Sequence, residues 1–244
     1  KANFCDNHNN TMEITPLYLA ISKENQEIIQ MLLSHPNIDV NLITIRKYCA
    51  LRGKEDRDEM KNTYWNTQKK APIHFAIEKK NKEIVQMLLN HPQIDINAPY
   101  LYESGYNYLE KYSIKKSPIC VAIDVDCFDI FQMLINHHGV DVSYKIVEEE
   151  YNEARKTYIS EYNLLHLAAK KGNPNIIKIL LKQPDIDVNA LFISQRNEKI
   201  IKTALSIAIE NDNIEAIRIL LLNPKIRTDI KIFDAKYKYY YLYI

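Results

Sequence analysis

The side chains that could do chemistry are spread along this sequence without converging in it. The chain has 244 residues, with seven histidines and four cysteines. Metal binding or nucleophilic catalysis needs Cys, His, Asp or Glu at short characteristic spacings. Cys5, Cys49, Cys120 and Cys127 form no CxxC pair and no Cys/His ligand set. They read as free thiols, which points to a reducing compartment, the cytoplasm or the nucleus. His35, His91 and His137 recur at one phase of a longer pattern, as structural residues do, rather than clustering as ligands. No Ser/His/Asp or Cys/His grouping can be defended, and the carboxylates are too scattered to select a pair. Glycine is scarce, at four residues, and GxGxxG, GxxxxGKS/T and GxSxG are all absent. The sequence therefore offers no phosphate loop and no nucleophile elbow. It predicts no enzyme, no catalytic residue, no metal and no cofactor.

Composition narrows the field further. The hydrophobic fraction of 46% is enough for a core. A formal net charge of +1 gives no overall bias toward nucleic acid or an anionic membrane. No apolar run reaches the roughly 18 residues of a spanning helix, so no membrane insertion is expected. No signal peptide is visible. The first residue is Lys1, so the start reads as one made by processing.

The elements that must position these side chains come in copies. Five segments of 27 residues align without gaps: 15–41, 71–97, 117–143, 163–189 and 203–229. Each reads as two short helices. Thr15, Ser117, Asn163 and Thr203 are N-cap residues, whereas Ala71 has no capping side chain. Pro16, Pro72 and Pro118 follow at the first helical position. The sixth position is always alanine (Ala20, Ala76, Ala122, Ala168, Ala208), which allows helices to approach closely. Asn25, Asn81, Asn173 or Asn213 separates the two helices and caps the second. The second helix carries an apolar stripe such as Ile28, Ile29, Met31, Leu32 and Leu33. Met31, Met87 and Met133 read as core fillers. Pro36, Pro92, Pro184 and Pro224 stop the second helix. A unit this small cannot bury its apolar face alone, so neighbours must stack.

The starts TPLYLA (15–20), APIHFA (71–76) and NLLHLAAKKGN (163–173), with the closing NIDVN (37–41), resemble the ankyrin-repeat family. That resemblance implies an all-α solenoid of stacked helix–turn–helix units with long β-hairpin fingers, filling residues 1–244 as one domain. It also implies that His74 and His166 tie adjacent repeats together rather than catalyse. Three features depart from the family. Starts are separated by 56, 46, 46 and 40 residues rather than about 33. The closing turns are one residue longer, and the fifth copy ends RTD. In the family, the closing asparagine can be hydroxylated when a leucine lies eight residues before it. Asn41, Asn97 and Asn189 fit that pattern as possible hydroxylation sites, although turn stabilisation is the simpler role.

All length variation falls in the connectors 42–70, 98–116, 144–162 and 190–202, expected as extended hairpins that align into a sheet-like flank. Tyrosine concentrates there. Tyr48, Tyr64, Tyr100, Tyr102, Tyr106, Tyr108, Tyr112, Tyr144, Tyr151, Tyr158 and Tyr162 lie in connectors, as does the lone Trp65. Such rings either dominate interfaces or pair across strands to hold the hairpins. Connector 42–70 has a net charge of +4 and 144–162 of −2, an asymmetry that would orient a partner. The run Glu148-Glu149-Glu150 reads as a solvated face.

The leading expectation is a scaffold or adaptor that binds another protein. Candidate contacts are Tyr48, Trp65, Tyr100, Tyr102, Tyr106, Tyr108, Tyr144, Tyr151, Tyr158 and Phe192 on the connectors. Glu78, Asp124, Lys170 and Glu210 are the candidates on the first helices. The alternative is a structural segment of a longer repeat array, with no partner site of its own. Segments 1–14 and 230–244 look finger-like, so the chain reads as an excerpt or as one that self-associates end to end.

Overall fold

The computed structural model describes residues 10–51, 63–106, 110–151, 156–194 and 200–231. It divides into two compact units, Lys1–Pro118 with Glu149–Thr157 and Ile119–Glu148 with Tyr158–Ile244. In chain order the first holds β1 (Thr11–Glu13), α1 (Pro16–Ser22), α2 (Gln26–Leu33), β2 (Thr44–Leu51) and β3 (Thr63–Lys70). It continues with α3 (Pro72–Glu78), α4 (Lys82–Leu89), β4 (Tyr100–Tyr106) and β5 (Lys111–Lys116). The next elements are α5 (Pro118–Asp124), α6 (Phe128–Ile135), β6 (Ile146–Tyr151), β7 (Thr157–Tyr162), α7 (Leu164–Lys171) and α8 (Pro174–Leu180). The last are β8 (Phe192–Ser194), β9 (Ile200–Lys202), α9 (Ala204–Glu210) and α10 (Ile214–Leu221).

The expected all-α class is wrong. The described residues carry nine strands as well as ten helices. Within the first unit β1, β2, β3, β4 and β5 pair antiparallel in turn. In the second, β7 pairs with β8 and β8 with β9. The physical reason is that strands pair between successive connectors as well as within them. That satisfies backbone groups that isolated hairpins would leave at open edges. The result is a mixed α/β architecture.

The helices form for the reasons the sequence suggests. Thr15 Oγ1 accepts the Tyr18 N–H at 3.0 Å, and Asn163 and Thr203 cap α7 and α9 likewise. Asn25 and Asn81 each accept an N–H at 3.0 Å at the start of α2 and α4. Ala71 makes no such bond. In the first unit α1 packs on α3 and α2 on α4. In the second, α7 packs on α9, and α8 packs on both α6 and α10. The sixth-position alanines are all buried, as are Ile21, Ile29, Ile77, Ile84, Phe131, Ile176 and Leu220. Met31 is not a core filler: it is 68% exposed, while Met87 and Met133 are half-buried. Methionine sits at the flank of the apolar stripe, so Ile and Leu at neighbouring positions fill the core.

Cys49 is disulfide-bonded, which corrects the expectation of four free thiols. Cys120 and Cys127 are free. A reducing compartment, which keeps thiols apart, is not what this bond suggests. No described helix is long and apolar enough to cross a membrane.

The turn between paired helices needs a left-handed residue. Glu24, Lys80, Asp126 and Asp212 have φ of 51° to 55°, and Gly172 has 77°. The next repeat locks this turn. Asn81 Nδ2 donates to Glu24 Oε2 at 3.0 Å, and Asn173 Nδ2 to Asp126 Oδ1 at 2.7 Å. Asn213 Nδ2 reaches the Ala169 carbonyl at 2.9 Å. An L-residue in this conformation costs about 1 kcal/mol, partly offset against glycine's greater entropy when unfolded. Lys80→Gly is therefore expected to stabilise by about 0.5 kcal/mol. Gly172→Ala is expected to destabilise by more than about 1 kcal/mol, because its Cβ would lie 2.6 Å from the Asn213 side chain. Urea unfolding curves check the opposite signs; a common sign would contradict the turn analysis.

Candidate functional site

Alternation along a strand puts every second side chain on one face. In β2 to β5 the pairing register brings the even-numbered positions together. Tyr48 lies opposite Asn66, Tyr64 opposite Ala50 and Tyr106, Tyr102 opposite Gln68 and Ile114, and Tyr112 opposite Ser104. The described tyrosines of these strands thus share one face. Their rings touch: Tyr48–Tyr64 centroids are 6.3 Å apart, Tyr64–Tyr106 5.2 Å, and Tyr102–Tyr112 6.3 Å. The Tyr64 and Tyr102 hydroxyls are 3.1 Å apart, and this bond, with burial, raises the Tyr64 pKa.

The aromatic face continues onto the helices. Lys70 Nζ lies 4.7 Å from the Tyr100 ring and 5.5 Å from the Phe75 ring, within cation–π reach. It also pairs with Glu78 Oε1 at 2.6 Å. Phe75 stacks edge-on against Tyr18 of α1 at 4.5 Å. Tyr48 and Tyr106, at 40% and 46% exposure, are the accessible rims of this face. Trp65 is odd-numbered and lies on the other side. It sits over Gly105, where an added Cβ would come within 3.0 Å of the indole Nε1 and 2.1 Å of the Glu110 carbonyl oxygen. Tyr108 lies outside the described residues.

The remaining candidates fall elsewhere. Tyr144 is half-buried, and burial first, then nearby Cys120 and Asp141, pushes its pKa up to about 12. Tyr151 and Tyr158 are half-buried on β6 and β7. Phe192 packs against Tyr162 at 5.7 Å. Asp124 pairs with Lys171 at 3.7 Å, and Glu210 with Lys202 at 2.7 Å. Lys170 is exposed. Tyr18, Tyr64, Phe75 and Lys70 join the aromatic face without having been among the candidate contacts. The parity of the tyrosine positions was the signal that could have found Tyr64.

Two of the asparagines matching the hydroxylation pattern bridge to the next repeat. Asn41 Nδ2 donates to the Gln93 carbonyl at 2.7 Å, and its Oδ1 accepts the Asp95 N–H at 2.9 Å. Asn189 repeats this with Lys225 and Arg227, at 2.7 and 2.9 Å. The Asn97 N–H donates to Asp95 Oδ1 at 2.9 Å.

His74 and His166 are buried in the first helices. His166 Nε2 donates to the Ala190 carbonyl at 3.0 Å, and its Nδ1 accepts the Asn163 N–H at 3.2 Å. His74 Nδ1 donates to the Ala71 carbonyl at 3.3 Å. Burial holds both pKa values down to about 4. Among the described residues no group of three or more His, Cys, Asp or Glu could hold a metal ion. The surface offers rings, hydroxyls and paired charges, which suit contact with another molecule.

Family models for ankyrin repeats match residues 12–45 and 69–98, and a three-copy model matches 144–234. The chain belongs to the ankyrin-repeat family. Ankyrin repeats generally serve as protein-interaction modules, and the family is typically non-enzymatic. No curated protein matches. One similar solved structure is Bd0816, a predatory endopeptidase from Bdellovibrio bacteriovorus, in complex with the immunity protein Bd3460. Identity is 16% over 86% of this chain and 98% of that one, with a TM-score of 0.39, too low to bear on fold or function.

The two buried histidines of this ankyrin chain make its stability depend on pH. Both are neutral when folded, with pKa near 4, and regain a value of about 6.5 on unfolding. Unfolding therefore takes up protons between these values, and stability falls as pH falls through that window. Each ring removes of the order of 3 kcal/mol by pH 4. The slope of unfolding free energy against pH near 5 is expected to report uptake of about two protons. A flat profile there would contradict neutral burial.

Proposed function

We propose that this chain is a protein-binding scaffold or adaptor. Its recognition surface is the tyrosine face of β2 to β5, extended by Tyr18, Phe75 and Glu78 on the first helices of the first unit. The observation that carries this reading is one-sidedness. A purely structural use of tyrosine would distribute rings over both faces, wherever strands need cross-strand pairs. Here the described tyrosines of four strands share one face, and two rims are open at Tyr48 and Tyr106. Tyrosine gives broad contact area at low entropic cost, with a hydroxyl that hydrogen-bonds at the rim. The ring-to-ring contacts hold the face in shape before a partner arrives, which lowers the cost of binding.

The alternative, a structural segment with no partner site, draws its support from those same ring contacts. A pair of variants separates the two readings. The double change Tyr48→Ala with Tyr106→Ala removes only rim rings. It is expected to abolish cross-linking to partners in extract from the source cell while changing stability by less than about 1 kcal/mol. Trp65→Ala, on the opposite face, is expected to lower stability by about 1–3 kcal/mol with the cross-links retained. Stability lost and cross-links kept in the tyrosine variant would favour internal packing.

A further inference from the structure

A charged rung recurs in this chain at one offset. The last residue of the strand that precedes a first helix is a lysine, and eight residues later an acid ends that helix. Lys70 bonds Glu78 at 2.6 Å in the first unit, and Lys202 bonds Glu210 at 2.7 Å in the second. The sequence repeats the offset as Lys116 and Asp124. The first repeat has the uncharged Ile14 and Ser22 at these positions, and the fourth departs in another way. Tyr162 stands in the lysine position, and Lys170 stands in the acid position.

The exchange leaves two charges without a counter-ion. The Tyr162 hydroxyl donates to Glu148 Oε1 at 2.6 Å, a neutral partner for that carboxylate. Among the described residues, Glu148 has no cation within ion-pair distance and Lys170 has no acid. Both line one cleft of about 200 Å³ in the second unit, where the Phe192 ring and Ile207 supply apolar wall. The other charges of that cleft, Lys202 and Glu210, already neutralise each other.

We infer that this cleft is a second recognition site, which takes a partner polypeptide segment carrying a basic and an acidic side chain on either side of an apolar one. The basic group meets Glu148, the acidic group meets Lys170, and the apolar side chain lies against Phe192 and Ile207. Two missing counter-charges of opposite sign select a dipolar segment, because a ligand with one charge would leave the other unpaired. The inference rests on the reading of this chain as a protein binder, but on residues separate from the tyrosine face. Failure here leaves that face untouched.

The test titrates three blocked peptides, Ac-Lys-Leu-Glu-NH2, Ac-Glu-Leu-Lys-NH2 and Ac-Gln-Leu-Gln-NH2, into the 15N-labelled chain up to about 10 mM. Free leucine, a small zwitterion, is the fourth ligand. One charged peptide is expected to shift amides around 148, 162–170, 192 and 207–211 saturably. The glutamine peptide is expected to bind at least about tenfold more weakly, and salt to weaken the charged one. The double variant Tyr162→Lys with Lys170→Glu rebuilds the rung seen at Lys70–Glu78. It is expected to keep the fold by circular dichroism and lose the peptide shifts. The inference is overturned if the neutral peptide binds equally, if the folded double variant still binds, if free leucine alone saturates the cleft, or if no ligand gives saturable shifts.

Discussion

Every feature of this chain follows from the inability of a helical pair of about 27 residues to bury its own apolar face. The two helices of one repeat contribute Ile21 and Ile29, or Ile77 and Ile84, and these are fully buried only because the next pair lies against them. Stacking neighbours are thus a condition of folding rather than an addition to it. The sixth-position alanine sets how closely first helices approach. Asn81, Asn173 and Asn213, each just before a second helix, reach back to the preceding turn at Glu24, Asp126 and Ala169. The closing asparagines Asn41 and Asn189 bridge from the other end. Polar side chains placed once per repeat therefore fix the spacing that the apolar contacts favour.

A core so defined leaves the connectors free to vary, and they have become the second half of the structure. Their strands pair with one another, so the backbone groups of long loops are satisfied without a second core. The sheet then has two faces with different residents. One carries the tyrosines and runs through Lys70 onto Phe75 and Tyr18. The other carries Trp65, which covers a glycine that has no room for a side chain. Charge follows the repeat in part: at Lys70–Glu78 and Lys202–Glu210 a lysine at the strand end neutralises an acid at the helix end, and the fourth repeat carries neither partner in its place.

The repeat was legible because its signals are local. Proline at the helix start, asparagine at the second cap and alanine at the sixth position each act within a few residues, and the helices lie where those residues put them. What could not be read is what depends on pairing at a distance. Strand register decides that Tyr64 and Tyr106 are neighbours and that Trp65 is not among them, and the linear sequence states only their parity. The α/β class was missed although a sheet-like flank was expected, because the class was named from the helical repeat alone and the extent of strand pairing depends on register. Cys49 read as a free thiol because its sequence neighbours show no partner. Met31 read as core because periodicity marks a broad stripe and burial selects only its centre. The exchange of Tyr162 and Lys170 is visible in sequence only once Lys70–Glu78 has shown what the offset of eight residues means.

The dependence of each helical pair on its neighbours can be measured directly on a single repeat. A synthetic peptide of residues 71–97 contains α3, α4 and their caps, but no stacking partner. Circular dichroism in water is expected to find it largely unstructured, as helices of seven and eight residues are without tertiary contacts, while the whole chain is helical under the same conditions. A monomeric peptide with helix content equal to that of its segment in the intact chain would contradict the account.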